Sequence, residues 1–138
     1  MIYKKLCAEA VRAMKTAYCP YSGYSVGAAL LAKSGTVYTG CNIENASFSP
    51  TVCAERTAFF KAVSEGERGF EAIAVAGGKN GRINGVFPPC GVCRQVMAEF
   101  CSKGFKILFV KENGGFEEHT LEELLPLSFG EELKNENL

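Results

Sequence analysis

The apolar residues of this chain change period along its length, and the order of those changes restricts it to one fold class. Tyr3, Leu6, Cys7, Ala10, Met14 and Ala17 recur at helical spacing until Cys19-Pro20-Tyr21-Ser22-Gly23 breaks the pattern. Residues 26–32 form a small-residue and β-branched run, Lys33-Ser34-Gly35 makes a turn, and residues 36–41 resume the strand pattern. The two runs predict an antiparallel hairpin. Ser49-Pro50 supplies a helix cap and a first-turn proline ahead of Val52, Phe59, Phe60 and Val63, with Gly66 as the stop. That places the start of a second helix just before Cys53. A strand at 71–76 ending at Gly77-Gly78, a helix at 92–100 beginning near Cys90, and a strand at 107–110 follow. A last strand at 116–119 and a short helix at 121–125 complete the series. Helices interleaved with strands in this order predict an α/β sandwich with a mixed sheet.

At 138 residues the chain has room for about one domain on a scale of roughly 100 to 200 residues each. The charge-rich shift at 130–138 reads as a short, flexible tail. A hydrophobic share of 47% against 22% charged excludes general disorder. Fifteen basic and fifteen acidic side chains cancel, which argues against a protein built to grip polynucleotide phosphates. No apolar run reaches the roughly 18 to 20 residues needed to cross a bilayer. The opening Met1-Ile2-Tyr3-Lys4-Lys5 has neither a signal core nor a transit-peptide composition, so a cytoplasmic location is expected. Seven cysteines, an odd number, then read as reduced thiols and metal ligands, not as a disulfide framework.

The chemistry concentrates in two segments, Cys53-Ala54-Glu55 and Pro89-Cys90-Gly91-Val92-Cys93, each at a predicted helix start. A lone C-x-x-C is a modest signal. A third cysteine with a carboxylate two residues on makes it specific for a zinc site. A thiol must lose its proton to bind zinc, and the positive end of a helix dipole favours that loss. Three thiolates leave the site one negative charge in excess, and Arg56 and Arg94 are the nearby cations able to offset it. Three ligands rather than four describe a catalytic site with an open position. Glu55 can turn toward that position without ligating, and its natural task is proton transfer from water to a ring nitrogen and a leaving amine. Asn42 and Glu44, two apart on a strand, point to one face and could bind neighbouring sugar hydroxyls, although strand patterning alone reads them as solvated strand-end residues.

From Pro20 onward the sequence resembles the small, homotetrameric cytidine deaminases, a zinc-dependent nucleobase-deaminase type. The likeness is carried by Pro20-Tyr21-Ser22-Gly23-Tyr24-Ser25-Val26-Gly27-Ala28-Ala29-Leu30, by Gly40-Cys41-Asn42-Ile43-Glu44-Asn45-Ala46-Ser47, and by Thr51-Val52-Cys53-Ala54-Glu55-Arg56. It continues through Pro89-Cys90-Gly91-Val92-Cys93-Arg94-Gln95 and Leu124-Leu125-Pro126-Leu127-Ser128-Phe129. The resemblance implies a three-layer α/β/α sandwich with a central mixed five-stranded sheet, over a single domain at 1–129. It implies one zinc per subunit on Cys53, Cys90 and Cys93, Glu55 as proton shuttle, and Arg56 donating to the sulfurs. It also implies that Asn42 and Glu44 bind the ribose, chiefly its 3′-hydroxyl, and that the Ala54 backbone reads the base. Tyr24 and Phe48 would flank the base, and Phe129 would reach into a neighbouring subunit's site. The implied reaction is hydrolytic deamination of free cytidine and 2′-deoxycytidine in pyrimidine salvage, with no nucleic acid or membrane partner. The family often has Phe at position 24 and Tyr at 48, the reverse of this chain.

Other readings stay open at this level. Cys41 or Cys101 could complete a purely structural zinc site, making the chain a non-catalytic zinc-stabilised interaction module. A related deaminase of cytosine nucleoside antibiotics would share both cysteine motifs, and the Asn42-Ile43-Glu44 sugar grip is the feature that favours ribose. A deaminase of tRNA or single-stranded DNA would need a basic stripe that the sequence lacks. His119, the sole histidine, has no metal-ligand spacing to another candidate and reads as a strand residue.

Overall fold

A computed structural model describes residues 2–137. The chain runs through α1 (Ile2–Ala13), a short 3-10 turn (Met14–Thr16), β1 (Ser25–Ala32), β2 (Val37–Cys41), α2 (Ala54–Ser64) and β3 (Phe70–Lys79). It continues through β4 (Arg82–Ile83), α3 (Gly91–Phe100), β5 (Lys106–Val110), β6 (Phe116–Thr120), α4 (Leu121–Leu124) and α5 (Glu131–Asn137). The strands lie in the order β2-β1-β3-β5-β6, with the two-residue β4 paired on the end of β3. Only β3 and β5 run parallel, so the sheet is mixed, and α3 supplies the crossover that a parallel pair requires. The five-stranded path matches the expectation; β4 is an addition to it.

Alternation along the central strands explains the layers. Ala28, Leu30, Ile73 and Val75 point to one face and join Phe59, Met97 and Phe105 in a core under α2 and α3. Ala29, Leu31, Ala72, Ala74 and Ala76 point to the other face and meet Leu6, Cys7, Ala10 and Met14 of α1. The alanines on that second face let a helix sit close to the sheet. Phe59, fully buried and set edge-on to Phe70 with centroids 5.1 Å apart, contributes about 1.5–3 kcal/mol by removing its ring from water.

Two boundaries differ from the sequence reading. α2 starts at Ala54 with Cys53 as its cap residue, not at Ser49-Pro50. Ile43 and Val52 exchange two backbone hydrogen bonds of 3.0 Å, which hold the chain extended up to Cys53 and delay the helix. β3 continues through Gly77-Gly78, because Gly78 pairs with Ile83 and a Cβ there would lie 1.7 Å from the Arg82 carbonyl oxygen. Residues 130–138, read from sequence as a tail, carry α5, and Lys134 Nζ donates to the carbonyls of Ala98 (2.8 Å) and Glu99 (3.0 Å) at the end of α3. Met1 and Leu138 lie outside the described residues. No described helix is long and apolar enough to cross a membrane.

Candidate metal centre and active site

The starts of α2 and α3 meet, which brings the three motif cysteines together. Gly40 of β2 permits the approach of α2: a Cβ there would stand 2.6 Å from both the Ala54 carbonyl oxygen and the Ala58 nitrogen. Thr57 Oγ1 ties the same helix to β2 by donating to the Cys41 carbonyl at 3.0 Å. Cys53 and Cys90 are the cap residues of α2 and α3, and Cys93 lies in the first turn of α3. The sulfurs are 3.7 Å apart between Cys53 and Cys90 and 3.5 Å apart between Cys90 and Cys93. All three fall within 4.8 Å of one another, the only such ligand cluster among the described residues.

This donor set fits zinc. Tetrahedral Zn–S bonds of about 2.3 Å put ligand sulfurs about 3.8 Å apart, close to the observed spacing, whereas a disulfide needs about 2.05 Å. Hydrogen bonding with Cys93 and then with Arg56 holds the Cys53 thiol down at about 5, while its bond to Cys53 pushes the Cys93 thiol up. Arg56 Nη2 donates to Cys53 Sγ at 3.5 Å, and that contact raises the guanidinium's own pKa, keeping the cation beside the sulfurs. Arg94 does not take this role. Its Nε donates to Pro89 O and its Nη1 to Leu124 O, both at 2.8 Å, so it clamps the Pro89-Cys90 loop to α4. Cys41 and Cys101 do not join the cluster.

Glu55 is only 4% exposed, yet it lines a cavity of about 290 Å³ shared with Cys53, Ala54, Cys90, Asn42 and Glu44. Burial pushes its carboxyl up to about 7. A buried carboxyl near neutrality, next to a metal-ligand set, is suited to taking and returning a proton. On the wall of the same cavity, residues 42–44 run as an extended ribbon between Tyr18 and Val52. Asn42 and Glu44 consequently face one side, toward residues 21–26. Asn42 Nδ2 donates to Tyr24 O at 2.8 Å, and its Oδ1 accepts from Val26 N at 2.9 Å. Glu44 accepts from Tyr21 N, Ser22 N and the Ser22 hydroxyl, which hold its carboxyl below the usual range, with the Ser22 hydroxyl as the main cause.

Aromatic side chains frame this cavity unequally. Tyr24 lines it, packed against Phe87 with centroids 5.7 Å apart and with Lys79 Nζ 4.5 Å from its ring centroid. Phe48 lies in an adjoining hollow of about 350 Å³ with Tyr21, Ser22 and Glu44, and is 69% exposed. Its φ of 65° is left-handed, a conformation that costs a bulky residue about 1–3 kcal/mol and tends to occur at functional sites. Phe129 is not brought to the cavity within one chain. It is 75% exposed beyond α4, where its carbonyl accepts from Gln95 Nε2 at 3.0 Å. Sequence reasoning missed Ser22 and Phe87. Phe87 abuts the Pro89-Cys90 motif, and its place beside a metal ligand was the available signal.

Three thiols at two helix starts, with a buried carboxyl beside them on a common cavity, define a zinc hydrolase. The description of the family model that matches residues 2–109 is the cytidine and deoxycytidylate deaminase zinc-binding region. A cytidine deaminase of Sporosarcina psychrophila is 52% identical over 132 residues, covering 96% of this chain and 94% of its own. One from Halalkalibacterium halodurans is 50% identical over 131 residues, covering 95% and 96%. The crystal structure of cytidine deaminase from Burkholderia pseudomallei superposes with a TM-score of 0.85 at 41% identity, covering 94% of this chain and 100% of that one. The chain belongs to the cytidine and deoxycytidylate deaminase family, and its cofactor is zinc.

Proposed function

We propose that this protein hydrolyses the amino group from free cytidine and 2′-deoxycytidine, giving uridine or 2′-deoxyuridine and ammonia, and that it serves pyrimidine salvage in the cytoplasm. The observation that carries the reading is one cavity lined together by Cys53, Cys90, Glu55, Asn42 and Glu44. Relatives at 50% identity or more that bear the name cytidine deaminase support it. Cys53, Cys90 and Cys93 hold zinc, which when bound supplies the Lewis acidity that makes water a nucleophile near neutral pH. Glu55 takes one proton from this water and delivers it from a carboxyl oxygen to the ring nitrogen next to the reacting carbon, then takes the second from the hydroxyl now on that carbon and gives it to the departing amine. Its elevated pKa suits both directions of transfer. Arg56 offsets the excess negative charge of three thiolates.

Asn42 and Glu44 bind the sugar, and the Ala54 backbone at the start of α2 reads the base. Tyr24 and Phe48 flank the base, and Phe129 is contributed by a neighbouring subunit of a homotetramer. Residues 1–129 form the single catalytic domain, and 130–138 are a short appendage to it that carries α5. The balanced charge is consistent with a nucleoside substrate and with no polynucleotide partner. The test is loss of cytidine ultraviolet absorbance, run beside Glu55→Gln with the zinc content of both proteins measured. Turnover by the parent and at least about a hundredfold loss in a zinc-loaded variant is expected. A zinc-loaded parent that leaves cytidine unchanged overturns the reading.

A further inference from the structure

Glu44 does not meet a ligand as a free carboxylate. Its Oε1 accepts Tyr21 N at 3.0 Å and Ser22 N at 3.1 Å, and its Oε2 accepts the Ser22 hydroxyl at 2.5 Å. A carboxylate has about four acceptor sites, so three are used among the described residues and one is left, on Oε2. The Ser22 hydroxyl also accepts Tyr24 N at 3.0 Å. One oxygen therefore fixes both the Glu44 carboxylate and the backbone of Tyr24, two residues of the same cavity wall. Tyr24 O is in turn the acceptor for Asn42 Nδ2. The chain Glu44–Ser22–Tyr24–Asn42 is continuous, and Ser22, Tyr24, Asn42 and Glu44 all line the same cavity.

We infer that Ser22 is a positioning residue for sugar recognition: its hydroxyl fixes the Glu44 carboxylate so that one acceptor position remains for the sugar hydroxyl, the 3′-hydroxyl on the family resemblance, that Glu44 binds in the proposed function. The inference deepens the nucleoside reading above and rests on it. Without the Ser22 hydroxyl, Oε2 has two acceptor sites free and its plane is held from one side only. Part of the binding energy of the sugar hydroxyl is then spent on fixing the carboxylate, and water competes for the added site. Glu55 and the three cysteines, the groups of the chemical step, take no part in these hydrogen bonds.

The experiment compares cytidine with 3′-deoxycytidine on the zinc-loaded parent, Ser22→Ala and Ser22→Thr. The parent favours cytidine. Ser22→Ala raises KM for cytidine about tenfold, lowers kcat by less than about threefold, and narrows the preference over 3′-deoxycytidine, whose KM changes by less than about twofold. Ser22→Thr, which keeps the hydroxyl, retains the parent's preference. A rise in KM by the same factor for both nucleosides marks a merely structural loop role and overturns the inference alone, as does no change for either. A parent that treats the two nucleosides alike, or turns over neither, removes the nucleoside reading of Glu44 and this inference with it.

Discussion

His119 shows how far a single side chain departs from its sequence reading. As expected it sits in a strand, but it is not an idle strand residue. Its Nε2 lies 3.2 Å from Glu117 and its Nδ1 lies 3.3 Å from Glu123, while its ring packs 4.8 Å from that of Phe109. The Glu117 hydrogen bond, then that of Glu123, raises its pKa above the ordinary 6.5, and His119 in turn lowers Glu123 below 4.5. The signs follow from linkage. The raised histidine adds stability that is full below 6.5 and disappears as pH rises through its folded value. The lowered carboxyl adds stability that is full above 4.5 and disappears as pH falls through its folded value. The pair is strongest between those limits, and solvent screening keeps its contribution to stability small. As the only histidine, His119 can be titrated by NMR without assignment ambiguity. A pKa above 6.5 is expected in the parent, falling in Glu117→Gln and in Glu123→Gln; a value at or below 6.5, or one unmoved by both changes, would refute the pairing. The site shows the same contrast in legibility. Cys53, Cys90, Cys93 and Glu55 were readable because metal chemistry demands those residue types at those spacings. Ser22 was not, because a serine in a turn has no spacing rule, and its role arises only once residues 42–44 are laid beside residues 21–26.

The elements were legible wherever periodicity alone decided them and were misread where a tertiary contact intervened. The helical stripe of α1 and the alternation in β1 and β3 come from local pattern, so their existence and order could be read. The start of α2 could not, because the competing signal, pairing of Val52 with Ile43, joins residues nine apart and has no local signature. Gly77-Gly78 looked like a strand end for the same reason: Gly78 admits the close approach of β4 and Gly77 that of the Phe87 ring, and neither makes a turn. Gly40 is the position at which such an approach matters most to the site. The backbone of α2 presses on it at Ala54 and Ala58, and backbone cannot yield as a flexible side chain would. Gly40→Ala should therefore cost about 1–3 kcal/mol of stability in urea unfolding by overpacking, and should lower zinc content by moving Cys53 away from Cys90. Gly104→Ala, with nothing within 4 Å of its new Cβ, is the matched control and should leave both unchanged. An unchanged unfolding midpoint in Gly40→Ala would show that α2 can retreat from the sheet at no cost.

At the scale of the whole molecule, the cavity and the exposed aromatic surface pose one question. Leu127 and Phe129 are 95% and 75% exposed, and Phe48, beside the cavity, is 69% exposed. Large apolar side chains gathered at a chain end and at a site rim are costly to leave in water, and burying each against another subunit recovers about 1.5–3 kcal/mol. The proposed homotetramer accounts for both groups at once, since Phe129 of one subunit would cover the site of the next. Sedimentation should then show a tetramer. Phe129→Ala should lower kcat/KM for cytidine by about tenfold or more, as loss of an aromatic wall at a binding site implies. A mixing experiment separates a shared site from a merely stabilising interface. Glu55→Gln subunits have no proton shuttle but an intact Phe129, whereas Phe129→Ala subunits have the reverse. Hybrid tetramers formed by unfolding and refolding the two together would contain some sites with Glu55 from one subunit and Phe129 from its neighbour. Activity in the mixture above the sum of the two variants refolded separately is the expected result. A stable monomer in sedimentation, or a mixture no more active than that sum, would mean that Phe129 serves its own chain and that each site is complete within one subunit.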